Sequence, residues 1–117
     1  MKVIIAGGRD FSDFSLLNEK CEVILKDESD IEIVSGAARG ADKMGEQYAS
    51  LKGFGIKRFP AEWDKYGKSA GYKRNEQMAQ YADTLIAFWD GSSKGTKHMI
   101  DLANRNKLKV HVVNYPK

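Results

Sequence analysis

The chain has one cysteine, Cys21, so an internal disulfide is excluded and a reduced, cytoplasmic setting is expected. No apolar run approaches the roughly 20 residues a membrane span needs, so no membrane partner is expected. The apolar part of the opening MKVIIAGG is too short for a signal peptide and runs directly into a turn. Catalytic signatures are equally scarce. There is no G-x-S-x-G elbow for a nucleophilic serine. His98 and His111 are not spaced with Cys, Asp or Glu as metal ligands would be, so no metal is expected. Cys21 has no activating partner and reads as a core residue. Internal repeats, linkers and low-complexity stretches are also missing.

What remains is an ordinary globular composition. The 117 residues are 42% hydrophobic and 30% charged, which fits one domain over residues 1–117 with a real core. The net charge of +3 is too small to argue for nucleic acid by itself. Its distribution is uneven: residues 1–56 carry 7 basic and 10 acidic side chains, whereas residues 57–117 carry 12 basic and 6 acidic. The basic excess gathers at 57–74 and 94–109. It is either a solvated surface or a face for something anionic.

Five β-rich apolar segments alternate with four helical patterns. Val3–Ala6, Ile31–Val34, Phe54–Phe59, Thr84–Trp89 and Lys109–Val113 read as strands. The first helix, capped by Ser12 or Asp13, would bury Phe14, Leu17, Cys21, Ile24 and Leu25. The second would bury Ala41, Met44, Tyr48 and Leu51 and stop at Gly53. A third spans about 70–82 with Asn75, Met78, Tyr81 and Ala82 facing one way, and a fourth spans about 96–106. Residues 61–69 read as an unusually long connection, and 114–117 as a frayed tail. Short strands that look buried on both faces, alternating with helices, imply an α/β fold: a three-layer α/β/α sandwich around a mainly parallel sheet. Ligands of such sheets sit beyond the carboxyl ends of the strands, where strand order reverses. The turns after strands one, two, three and four all emerge there.

Four motifs occupy those turns. AGGRDF ends the first strand. Gly7 and Gly8 allow close backbone approach, Arg9 can grip a phosphate or carboxylate, and Asp10 can orient Arg9 or accept from a ribose hydroxyl. The other reading is a tight turn with an Arg9–Asp10 surface pair. The order is not GxGxxG. IVSGAARGAD runs from strand to helix. Ser35, Gly36 and Gly40 leave room for an anion at unpartnered N–H groups, and Arg39 adds a forked charge. Alternatively Ser35 caps the helix and Arg39 pairs with Asp42. DGSSKGT lacks the full GxxxxGK[ST] order. Its Gly91, Ser93, Gly95 and Thr96, after Asp90, could hold an anion, or Ser93 or Thr96 could simply cap the helix. PAEWDKYGKSAGYKRNEQM mixes aromatics with charge: Trp63 and Tyr66 could stack on a base while Lys68 and Arg74 meet phosphates, or Trp63 could pack the segment down as a lid. Asn75 follows in the first turns of the same helix. Trp89 is open between core and ligand platform.

These four motifs, in this order over about residues 2–113, resemble the YspA/YpsA-related branch of the SLOG superfamily. The resemblance implies a Rossmann-like fold with strand order 3-2-1-4-5 and a role in sensing or processing nucleotide-derived ligands. It places Gly7, Gly8, Arg9, Asp10, Ser35, Gly36, Arg39, Gly40 and Asp42 on ligand-facing motifs, and with them Arg74, Asn75, Asp90, Gly91, Ser93, Gly95 and Thr96. SGAARGAD is similar to a stretch of the single-stranded-DNA-binding protein DprA. DGSSKGT is similar to the PGG-x-GT stretch of the LOG phosphoribohydrolases, in which a Glu follows closely. Here Lys97 and His98 follow Thr96, and Asp101 is the first acid. Asp10, Asp42 or Asp90 would have to supply the carboxylate for glycosidic hydrolysis, and the sequence does not choose among them.

The expectation is therefore a binder of a nucleotide or nucleotide-derived small molecule that requires no cofactor. Arg9 and Arg39 would hold phosphates, Asp10 or Asp90 ribose hydroxyls, and Trp63 or Tyr66 the base. A phosphoribohydrolase-type enzyme and a single-stranded nucleic-acid binder are the alternatives. A homo-oligomer formed through a helix face is compatible with the sequence, which does not locate it.

Overall fold

The computed structural model describes residues 1–116, so Lys117, the last residue of the expected tail, lies outside the described residues. The strands are β1 (Lys2–Gly7), β2 (Glu32–Ser35), β3 (Gly55–Arg58), β4 (Thr84–Trp89) and β5 (Lys109–Asn114). They form one sheet in the order β3-β2-β1-β4-β5, with every neighbouring pair parallel. The helices are α1 (Phe14–Leu25), α2 (Ala41–Lys52), the single turn α3 (Trp63–Tyr66), α4 (Ala70–Tyr81) and α5 (Lys94–Arg105). Among the described residues no helix is long and apolar enough to cross a membrane.

The central strands are apolar on both faces because each face meets its own helix layer. In β1, Val3 and Ile5 point into a core shared with Leu17, Cys21 and Leu25 of α1 and Tyr48 and Ala49 of α2. Ile4 and Ala6 point the other way, onto Met78 and Ala79 of α4 and Met99, Leu102 and Ala103 of α5. Cys21 lies in the first of these cores, where burial pushes its thiol up to about 12, so it is an inert core residue. Asp13 caps α1 by accepting from the Leu16 N–H at 3.0 Å, and α2 stops at Gly53 in the left-handed conformation.

Three expectations are corrected. Leu51 is not core; it is 68% exposed. The buried stripe of α2 runs through Ala41, Gly45, Tyr48 and Ala49 instead. Gly45 sets it: a side chain there would meet Ile5 Cβ at 2.8 Å, so the helix lies close against β1 along that line. The long connection after β3 contains helical turns that the sequence reading did not place, since Tyr66 N–H bonds Glu62 C=O at 3.0 Å to close α3, and a 3-10 turn over Gly67–Ser69 leads into α4. The tail is pinned through Tyr115. Its N–H donates to Trp89 C=O at 3.2 Å, and its ring meets Phe11 edge-on with centroids 4.7 Å apart.

β1 and β4 are adjacent at the centre, and the chain leaves them in opposite directions across the sheet, so the strand order reverses between them. Their carboxyl ends, at Gly7 and Trp89, open the crevice described next.

Candidate functional site

Above the carboxyl ends of β1 and β4 lies a cavity of about 560 Å³, and beside it a second of about 530 Å³. Arg9, Ala38, Arg39, Trp63 and Arg74 line both, so the two form one divided crevice. Its walls come from the loops after β1, β2 and β4 and from the start of α4.

The loops are tied to one another before any ligand is considered. Gly8 N–H donates to Phe88 C=O at 3.3 Å, and Gly8 C=O accepts from the N–H groups of Phe11 and Ala41, each at 3.2 Å. The β1 turn therefore closes the start of α2. Arg74 reaches from α4 to Gly36 C=O at 2.5 Å and to Asn75 Oδ1 at 3.1 Å. Asn75 Nδ2 in turn donates to Gly95 C=O at 3.4 Å and lies 3.2 Å from His98 Nδ1. One pair of side chains on α4 thus links the turn after β2 to the first turn of α5. Ser93 caps α5 by accepting from Thr96 N–H at 3.4 Å, and Trp89 Nε1 donates to Ser93 C=O at 3.1 Å.

The expected site residues divide into groups. Gly7, Gly8, Arg9 and Asp10 line the main cavity, with Arg39 and Asp42 beside them. Trp63, Arg74 and Asn75 line its second wall, and Asp90, Ser93, Gly95 and Thr96 its third. Gly36 faces the adjoining cavity. Ser35, Gly40, Tyr66 and Gly91 line neither. Ser35 is turned inward, donating to Glu46 Oε2 at 2.7 Å and accepting from Ala37 N–H at 3.0 Å. Tyr66 has the ammonium groups of Lys65 and Lys73 over its ring, 5.1 and 6.0 Å from the centroid. Trp89 does not line the cavity. Ser35 does not cap α2: that position is Gly40, with no side-chain cap.

Much of the SGAARGAD turn also satisfies itself. Ala37 N–H is taken by Ser35 Oγ, Ala38 N–H by Asp42 Oδ2 at 3.2 Å, and Ala41 N–H by Gly8 C=O. A turn packed this closely must satisfy its own amides. Positive charge in the crevice consequently rests on side chains. Arg9 and Arg39 are exposed, and among the described residues neither forms an ion pair. The Arg39–Asp42 and Arg9–Asp10 pairings are not formed; Asp10 Oδ1 instead accepts from Tyr115 O–H at 3.2 Å.

Sequence reasoning missed Tyr72, Gly71, Ala38 and Ser92, together with Met78 and Met99 as apolar floor, all of which line the main cavity. Tyr72 carried a usable signal: it stands three residues before Asn75, on the same helix face. Among the described residues no cluster of three or more acidic, His or Cys side chains is placed to hold a metal.

Asp42 is the electrostatic exception. Burial raises its carboxyl to about 6; Arg74, the Ala38 N–H and Arg9 offset part of that rise, and Glu46 adds to it. A carboxyl whose folded pKa lies above its unfolded value of 3.8 favours folding when protonated and costs stability when ionised. Its penalty appears as pH rises from about 4 through 6. Asp42→Asn keeps an oxygen for Ala38 N–H and removes the charge. We expect it to raise the unfolding free energy by about 3 kcal/mol at pH 8 and to have no effect below pH 4, as read by urea denaturation at both pH values.

A model of the YspA, cpYpsA-related SLOG family matches residues 1–66. The Gene 61 protein of Mycobacterium phage D29 is 31% identical over 121 residues, covering 97% of this chain and 95% of that protein. The X-ray structure of DNA processing protein A (DprA) from Streptococcus pneumoniae superposes with a TM-score of 0.76 at 19% identity, over 97% of this chain. The chain spans 50% of DprA's length, and at that identity the likeness is one of fold. A full-length phage relative, a family match over more than half the residues and the shared Rossmann-like sheet agree: the chain belongs to the YspA, cpYpsA-related SLOG family.

Proposed function

We propose that the chain binds a nucleotide or a nucleotide-derived small molecule, such as a nucleoside phosphate or an ADP-ribose derivative, in the divided crevice. The observation that carries this reading is the pair Arg9 and Arg39. Two guanidinium groups from different loops line the same cavity, and neither is neutralised by a salt bridge among the described residues. A phosphate is the ligand group whose charge and forked acceptors match them. Asp10 and Asp90 line the same cavity and suit ribose hydroxyls. With Asp42 they make three carboxylates in the crevice, a poor lining for a continuous nucleic-acid backbone.

Hydrolysis is the second reading, and Asp42 favours it. A carboxyl raised to about 6 in a nucleotide-sized cavity can carry a proton near neutral pH and pass it to a leaving base.

Isothermal titration with nucleoside mono- and diphosphates and ADP-ribose tests binding. Heat from at least one of them, with only shallow salt dependence, is the expected result. No heat from any on folded protein would remove the proposal. Tight binding of single-stranded DNA with a steep loss in salt would replace it with the nucleic-acid reading. Chromatography of the same mixtures reports turnover: free base, absent with Asp42→Asn, would establish the hydrolase.

A further inference from the structure

The wall of the crevice built by α3 and α4 carries aromatic rings beside its polar Lys68, Arg74 and Asn75. Trp63 and Tyr72 both line the main cavity there, yet they are 52% and 48% exposed. Large aromatic rings left in water at the mouth of a cavity are a standing invitation to a flat apolar surface. Their positions are held. Tyr72 stands edge-on to the His98 ring, with centroids 4.4 Å apart and planes at 69°. His98 is itself fixed through Nδ1 by Asn75. Trp63 starts α3, and its Cη2 lies 3.8 Å from where a side chain on Gly71 would begin. Arg74 Nη2 lies at the same 3.8 Å, so a branched side chain at Gly71, one residue before Tyr72 on α4, would reach past its Cβ toward both groups.

We propose that Trp63 and Tyr72, with Gly71 between them as the point where α4 carries no side chain, form a subsite for the planar heteroaromatic ring of the ligand. This rests on the nucleotide reading above and adds to it the element that recognises the base. It also replaces Tyr66, whose ring is covered by two lysines, with Tyr72, which no sequence motif singled out. The subsite selects for a stacking ring and tolerates several bases, because every base has a π face.

The test compares ligands that differ only in the ring. The four nucleoside 5′-monophosphates and ribose 5-phosphate are titrated against the full chain, with tryptophan fluorescence read alongside calorimetry. At least one nucleotide should bind about 10–100-fold more tightly than ribose 5-phosphate and quench Trp63. Tyr72→Ala and, separately, Gly71→Val should each collapse that ratio toward one. Tyr72 is half exposed, and a valine Cβ at Gly71 meets its neighbours at ordinary contact distance, so both variants should fold. Equal affinity for nucleotide and ribose 5-phosphate in the unaltered protein would overturn the subsite and leave the phosphate reading standing. A ratio that survives both substitutions would overturn it as well. Absence of binding by all five ligands, and by the nucleoside diphosphates and ADP-ribose as well, would overturn both proposals.

Discussion

Alanine at Gly40 is expected to lower the unfolding free energy by about 4 kcal/mol, close to the whole stability of many small domains. Two effects add. Gly40 sits at φ 80°, ψ −129°, the mirror image of ordinary extended backbone, which costs an L-residue about 1–3 kcal/mol. A Cβ there would also lie 2.3 Å from Gly8 C=O and 2.6 Å from Arg9 C=O. Those are backbone atoms, and the Gly8 carbonyl already accepts from Phe11 and Ala41. Moving it away breaks the bonds that join the β1 turn to α2, so overpacking contributes about another 1–3 kcal/mol. Gly53→Ala is the internal comparison. Its φ of 76° is equally positive, but nothing lies within 4 Å of the added carbon, so only about 1 kcal/mol is expected. Urea denaturation followed by circular dichroism measures both. A Gly40→Ala variant no weaker than Gly53→Ala would show that the two turns are not packed as described.

The parallel sheet was legible because its cause is local. Val3 to Ala6 and Leu85 to Trp89 are apolar at every position, and a strand apolar on both faces needs a helix layer on each. Features that depend on distant partners were not legible. Leu51 has the right spacing for a core residue, but Gly45 decides which line of α2 touches β1, and the sequence does not show that Ile5 lies against Gly45. Tyr115 looked like part of a loose tail because nothing near it in sequence holds it; Asp10 and Phe11, about a hundred positions earlier, do. The start of α5 was placed two residues late because Gly95 has poor helix propensity, and Ser93, capping from outside, outweighs it.

The same distinction runs through the site. A turn of small residues at a strand end can be located from the sequence, and all three were. Whether each polar side chain faces the cavity or a neighbouring amide cannot be read from its type. Ser35 serves Glu46 and Ala37. Asp42 serves Ala38 while still lining the cavity. Arg74, read as a phosphate contact, holds Gly36 and Asn75. Local bonds of this kind are the usual occupation of hydroxyls and carboxylates in tight turns. Subtracting them leaves Arg9 and Arg39 as the guanidinium groups with charge to spare, beside the exposed Lys68 ammonium that lines the same cavity, a result that needs coordinates.

Removing either guanidinium should therefore cost binding and little else. A charge-assisted hydrogen bond is worth about 1.5–3 kcal/mol, so Arg9→Ala and Arg39→Ala should each weaken phosphate-bearing ligands by about 10–100-fold. The double variant should weaken them by about a thousandfold or more, unless both groups grip one phosphate, in which case the second loss is smaller than the first. Stability should change by less than about 0.5 kcal/mol in each single variant, since both side chains are exposed and unpaired by any described acid. Arg74→Ala supplies the contrast. Its guanidinium is partly buried and bonded to Gly36 and Asn75, so its loss should lower the melting temperature along with affinity. Calorimetry with inorganic phosphate and with the tightest nucleotide, paired with thermal denaturation, separates the cases. Unchanged affinity in both Arg9→Ala and Arg39→Ala would sink the assignment of the crevice as a phosphate site, because no other uncommitted guanidinium lines it.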